Sequence, residues 1–190
     1  LPEARKKGYM HELLIESYKI SKERGISLML LVPQEEWLLN FYDKYGFAQT
    51  FDPGKEALID IKHLIERHSN DIQASYKEFD SLFRSQDMTV QKTSEDFVAI
   101  VDEAALWDYP EKKSLIGMAR VIDAQMLLKI FAKKYPKTNI QVNVYDQLIP
   151  ENNGIYAISD GMAIKQPIDT PHSISIDIRE LAQLLLGYKT

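Results

Sequence analysis

The chain has 190 residues, 23 Lys and Arg against 28 Asp and Glu, a net charge of -5, 45% apolar residues and no cysteine. That length and apolar content suffice for one sizeable domain or two small ones, and so even a charge balance predicts neither disorder nor a nucleic-acid-binding surface. Without cysteine, disulfide scaffolds, thiolate zinc sites and cysteine nucleophiles are excluded, which fits a reducing compartment and makes the cytoplasm the expected location.

No apolar run approaches the roughly 20 residues of a membrane span, and the start, Leu1 to Lys7, lacks the apolar core of a signal peptide. The chain opens on Leu1 rather than Met and runs straight into a basic loop, the pattern expected of a fragment. Met10, Leu13, Leu14, Ser17, Tyr18 and Ser21 recur at helical spacing, so a helix is predicted from Gly8 to Arg24, stopped by Gly25. Ile26 to Val32 is a nearly continuous apolar run closed by Pro33, which predicts a strand covered on both faces in a parallel-type α/β unit. A short helix follows over Gln34 to Tyr45, and Gly46 releases it into a strand from Phe47 to Phe51. Pro53-Gly54 marks a turn and a domain edge.

Beyond that edge, Ile61, Leu64, Ile65, His68, Ile72, Tyr76, Phe79 and Phe83 form one stripe, predicting a single helix from Lys62 to Arg84. Thr93 to Asp96 carry helix-start chemistry for a helix through Trp107 that Tyr109-Pro110 ends. Asp123 caps a helix containing Leu127, Leu128, Phe131 and Tyr135, stopped by Pro136. Strands are predicted at Ile140 to Tyr145, Ile155 to Ser159 and Met162 to Gln166, with Asn153-Gly154 and Asp160-Gly161 as turns. Ser173 to Ile178 alternates, and Asp177 with Glu180 forms a capping box for a closing helix to Leu186.

Arg5-Lys6-Lys7-Gly8-Tyr9-Met10 puts three cations and a glycine where a loop meets a helix N-terminus. The unpaired N–H groups and positive dipole end there suit a diphosphate, and glycine lets the backbone approach it. By itself the hexapeptide reads first as a solvated basic turn opening a surface helix. In the same way Tyr42, read alone, is a helix aromatic packing with Trp37, Phe41 and Tyr45.

Their order along the chain carries more. Arg5-x-x-Gly8 opening a helix, then a strand closed by Pro33, then Asn40-Phe41-Tyr42-Asp43-Lys44-Tyr45-Gly46-Phe47, resembles the second half of a GNAT N-acetyltransferase domain. The resemblance implies that Arg5, Lys6, Lys7, Gly8, Tyr9 and Met10 hold the pyrophosphate of acetyl-CoA, and that Tyr42 of the Tyr-x-x-x-Gly-Phe segment is the general acid beside the sulfur. Met10 stands where many members have Gly or Ala and where the enhanced-intracellular-survival (Eis) type tolerates a large apolar residue, and Glu35 stands where many carry a pantetheine-binding Asn. The strand that pairs with pantetheine in the family would lie before Leu1. A phenol near pKa 10 and a thiol near 8.5 make full proton transfer uphill by about 2 kcal/mol, so hydrogen-bond donation to the departing thiolate is the expected role.

Met118 to Asp123, Val142 to Asp146, Pro150 to Gly154 and Leu181 to Gly187 resemble the sterol-carrier-protein-like domain that ends Eis-type acetyltransferases. The resemblance implies a tail whose terminal carboxylate, here on Thr190, takes part as a base, or an apolar tunnel for lipid. The expected fold class is therefore α/β plus α+β: the C-terminal part of a GNAT domain over 1–54, a helical connector over 55–110 and a sterol-carrier-like domain over 111–190. The expected function is acetyl-CoA-dependent acetyl transfer to a primary amine, on a small molecule or a lysine; the alternative is a non-catalytic binder of lipid or another apolar ligand. No nucleic-acid or membrane partner is expected, and a homo-oligomer is compatible with the sequence. His63 and His68 lie five apart without a completing ligand set, so no metal is expected, and neither a serine-hydrolase elbow nor a nucleotide P-loop occurs.

Overall fold

The computed structural model describes residues 7–52, 59–85, 89–106, 116–166 and 173–188. Two compact units emerge, one from residues 1–52 and 115–190 and the other from 53–114.

The first unit begins with α1 (Tyr9–Glu23), entered through Gly8 at φ 81° and ended at Gly25, whose φ of 72° only glycine adopts without strain. Then come β1 (Leu28–Leu31), α2 (Trp37–Asp43) and β2 (Ala48–Phe51). β3 (Gly117–Val121) lies between β1 and β2 and is antiparallel to both. This corrects the parallel-type unit expected at Ile26 to Val32. β1 and β2 do run in the same direction, as an α2 crossover requires, but each forms its ladder with β3. β1 is an edge strand among the described residues and is not covered on both faces, since Leu30 and Val32 are 43% and 53% exposed.

β3 is buried at all five positions and leads through Asp123, whose side chain caps Met126 N–H, into α6 (Ala124–Lys134). A second sheet follows from β4 (Ile140–Tyr145), β5 (Gly154–Ser159), β6 (Met162–Gln166) and β7 (Ile174–Asp177), in the order β6-β5-β4-β7. β4, β5 and β6 pair antiparallel, and β7 joins β4 in parallel. Asp160-Gly161, both with positive φ, make the β5–β6 hairpin turn. Asn153-Gly154 is not the turn expected: a 3-10 turn at Pro150–Asn152 reverses the chain, and Gly154 already belongs to β5. Asp177 and Glu180 form the expected capping box on α7 (Ile178–Leu185). One apolar core runs through both sheets, with Ala48, Ala119 and Val121 packed alongside Leu128, Val142, Tyr156 and Leu181; full burial of a large aliphatic side chain in it contributes about 1.5–3 kcal/mol.

The second unit holds α3 (Ile61–Arg67), α4 (Ile72–Arg84) and α5 (Ser94–Leu106) around Leu64, Phe79 and Phe97. The single helix expected from Lys62 to Arg84 is two. Ser69 and Asn70 take left-handed backbone, and Asp71 accepts hydrogen bonds from Gln73 and Ala74 N–H to start α4 afresh. The apolar stripe reads through the break because both helices face the same core, whereas Ser-Asn-Asp favours a turn over a helix interior. Trp107 and Tyr109-Pro110 lie outside the described residues. No helix among the described residues is long and apolar enough to cross a membrane.

Candidate functional site

Of the loop residues, Lys7, Gly8, Tyr9 and Met10 are described and exposed; Arg5 and Lys6 lie outside the described residues. Gly8 ends in the left-handed conformation and its carbonyl accepts from His11 and Glu12 N–H, at 2.9 and 3.3 Å. No side chain among the described residues caps the helix. The N–H groups of Tyr9 and Met10 therefore stand at the open positive end of a 15-residue helix, beside Lys7. Glu12 in the first turn opposes part of that field.

A ladder of rings leads from this terminus to Tyr42. His11 meets Tyr45 at 5.8 Å between centroids, Tyr45 meets Phe41 at 5.2 Å, and Phe41 meets Tyr42 edge-on at 5.2 Å. Tyr42 also sits edge-on against Phe47 at 5.6 Å. The ring is half-buried, and its hydroxyl makes no hydrogen bond to another described residue. The turn after it is tightly held, since Tyr42 carbonyl accepts from Tyr45 and Phe47 N–H at 2.9 and 3.2 Å. Tyr18, by contrast, spends its hydroxyl on the Tyr45 carbonyl at 2.9 Å. Burial pushes its phenol up to about 12 against the pull of the Arg120 guanidinium.

Arg120 is the functional candidate that local sequence reading does not single out. It is fully buried, places its guanidinium 5.2 Å from the Tyr18 ring centroid, and pairs with Asp146. Asp146 also accepts from Leu148 and Ile149 N–H and from Asn152 Nδ2, while Asn152 Oδ1 caps α6 at Ala124 N–H. The signal that could have found it is one cation in an otherwise apolar strand, with one carboxylate directly after β4.

A cleft of about 470 Å³ adjoins α2, lined by Leu39, Asn40, Asp43, Met118, Asp177 and Arg179 among others. Arg179 Nη1 donates to Asp43 Oδ2 at 2.7 Å, and Gln183 Nε2 to the Gln49 carbonyl at 3.0 Å. The hydrogen bonds that Asp177 accepts outweigh its burial and hold its carboxyl below the usual range. The last described residue, Tyr188, donates its hydroxyl to Asp52 at 2.8 Å, at the far end of β2 from the Tyr45-Gly46 turn. Thr190 lies outside the described residues. No cluster of three or more metal-ligating side chains occurs among the described residues.

Residues 1–50 match the acetyltransferase (GNAT) domain and residues 126–190 the sterol carrier protein domain. The fold is similar to that of Eis1 from Mycobacterium abscessus, at 14% identity and a TM-score of 0.57, over 100% of this chain and 71% of that one. A GCN5-related N-acetyltransferase from Anabaena variabilis is similar at 14% identity and 0.54, over 100% and 70%. A protein of Enterococcus faecalis described as a probable N-acyltransferase is similar at 18% identity and 0.55, again over 100% and 70%. No curated protein matches the chain by sequence.

Proposed function

Since this chain joins part of a GNAT acetyltransferase domain to a sterol carrier protein domain, we propose that it binds acetyl-CoA and serves acetyl transfer to a primary amine. The observation that carries the reading is the contact between the uncapped start of α1 and the Tyr42 turn, through His11 and Tyr45. An open helix end linked through these rings to a phenol with no described hydrogen-bond partner supports a phosphate grip and a thiolate partner. In this reading acetyl-CoA supplies the thioester, and Arg5 to Met10 neutralise its pyrophosphate. Tyr42 donates a hydrogen bond to the sulfur as the amine displaces it. The acidic cleft beside Asp43 is the approach for a cationic amine, of which Asp43, Asp177 and Glu180 outnumber Arg179. The proton lost by the amine balances the departing thiolate, which leaves as the thiol of CoA.

Calorimetry tests the reading. Acetyl-CoA is expected to bind the protein, and Gly8→Glu to abolish binding by setting a carboxylate where the pyrophosphate rests; equal binding by both overturns it. An apolar cleft of about 220 Å³ between α6 and α7, lined by Leu127, Phe131, Leu185 and Leu186 among others, favours the second reading, a carrier of an acyl chain. It falls below the roughly 300–1,000 Å³ of ordinary ligand sites, and the cleft beside α2 falls within that range, which ranks the two. Retained fatty-acyl binding without acetyl-CoA binding would reverse the ranking.

A further inference from the structure

Gly46, the glycine of the Tyr-x-x-x-Gly-Phe segment, has two separate reasons to be glycine. Its φ is 78°, and a Cβ there would lie 2.9 Å from both Cζ and Nη1 of Arg120. Gly25 has nearly the same φ, 72°, with nothing within 4 Å of its would-be Cβ. The difference is the guanidinium, whose Cζ, Nη1 and Nε occupy the space beside Gly46. Arg120 comes from β3, 74 residues further along the chain than Gly46, and is fully buried. Its Nη2 donates to both oxygens of Asp146, at 2.8 and 2.9 Å, while Nε and Nη1 face the turn with no hydrogen-bond partner among the described residues.

A buried cation with two unpartnered nitrogens is costly to keep merely as packing, because a hydrophobic side chain of the same volume would avoid the desolvation. What the arrangement achieves is placement. Asp146 fixes the guanidinium plane, the plane sets the height of Gly46, and Tyr18, whose ring carries the guanidinium, ties the adjacent Tyr45 carbonyl from the same side. The next residue, Phe47, donates its N–H to the Tyr42 carbonyl and packs its ring edge-on against the Tyr42 ring. We propose that Arg120 is a positioning residue for Tyr42, so that the sterol-carrier part of the chain, through the Asp146–Arg120 pair, sets where the phenol of the acetyltransferase part stands. The proposal rests on the transfer reading for its chemical meaning. It does not rest on that reading for its geometry.

The test labels the tyrosines of the full chain with 3-fluorotyrosine and identifies the Tyr42 fluorine resonance by its loss in Tyr42→Phe. Gly46→Ala and Arg120→Lys are compared with Gly25→Ala, which carries the same backbone strain without the guanidinium. The expected result is a displaced Tyr42 resonance in Gly46→Ala and Arg120→Lys and an unmoved one in Gly25→Ala. Alongside it, kcat for acetyl transfer falls by roughly tenfold or more while KM for acetyl-CoA holds within about twofold, the split that marks an interaction made at the reacting end only. A Tyr42 resonance that stays put in Gly46→Ala, or moves as far in Gly25→Ala, overturns the proposal. Should Arg120→Lys not fold, Gly46→Ala decides, because it removes neither partner of the buried ion pair. If the unaltered protein transfers no acetyl group, the transfer reading fails, and the resonance still judges Arg120.

Discussion

Arg120 and Asp146 form an ion pair that solvent barely reaches, with 0% and 1% of their side chains exposed, and it joins β3 of one sheet to the residue that follows β4 of the other. Removing one partner of such a pair leaves an uncompensated charge in a low-dielectric interior. Asp146→Ala is therefore expected to cost about 3–5 kcal/mol. Arg179 and Asp43 approach just as closely, at 2.7 Å, but their side chains are 41% and 50% exposed. Asp43→Ala is expected to cost less than about 1 kcal/mol. Urea denaturation of the two variants checks the contrast, and comparable losses would contradict it.

Tyr42→Phe should lower kcat by roughly 10² or more and leave KM for acetyl-CoA unchanged, because only the hydroxyl is lost and the ring contacts with Phe41 and Phe47 remain. Tyr45→Phe should be near neutral, since it is the Tyr45 carbonyl that the turn uses. Steady-state thiol release distinguishes the two; a larger effect at Tyr45 would move the assignment there.

Residues 53–114 sit between β2 and β3, which are adjacent strands with Phe51 paired to Gly117. The ends of β2 and β3 that flank this stretch of sequence are thus side by side, where a hairpin turn of roughly two to five residues would suffice. Replacing the unit with such a turn is expected to leave the remaining part folded, with cooperative unfolding reported by Trp37, the one tryptophan left of the two. Loss of that transition would show that the helical unit is needed for the fold.

Burial alone would raise the Asp177 carboxyl, but hydrogen bonds from the Arg179 side chain and from the backbone N–H groups of Glu180 and Arg179 hold it below the usual range. A carboxyl depressed in the folded state adds stability above its unfolded pKa, about 3.9, and loses that stability as pH falls through the lower folded value. Asp177→Asn keeps the cap and removes the charge, so it should cost roughly 0.5 kcal/mol at pH 7. Urea midpoints measured from pH 7 to pH 2 should show the gap between the two proteins closing below about pH 4. A gap constant over that range would exclude the charge as its source.

The features legible in the sequence are local ones. Gly8 and Gly25 bound α1, Asp123 and the Asp177–Glu180 box start α6 and α7, and β4 and β6 fall at the residues where alternation predicts them. Each depends on side chains within about four positions of the backbone groups they satisfy, so the signal is written in neighbouring residues. The helix break at Ser69-Asn70 was equally local, but the apolar stripe of Ile61 to Phe83 spoke louder than the turn chemistry inside it.

What joins the two ends of the chain is written nowhere locally. Local pattern predicts no strand over Gly117 to Val121, and only the tertiary structure decides that this segment is one and slots between β1 and β2, turning a same-direction pair into an antiparallel sheet. Strand partners are chosen by a shared core, here Ala48, Ala119 and Val121 packed on Leu128 and Leu181, and no periodicity encodes that choice. The same step brings Arg120 against Gly46. The sequence by itself determined that position 46 ends a helix, and the fold decided that a buried guanidinium would lean on it, because a side chain acts on whatever its strand is packed against rather than on its neighbours in sequence.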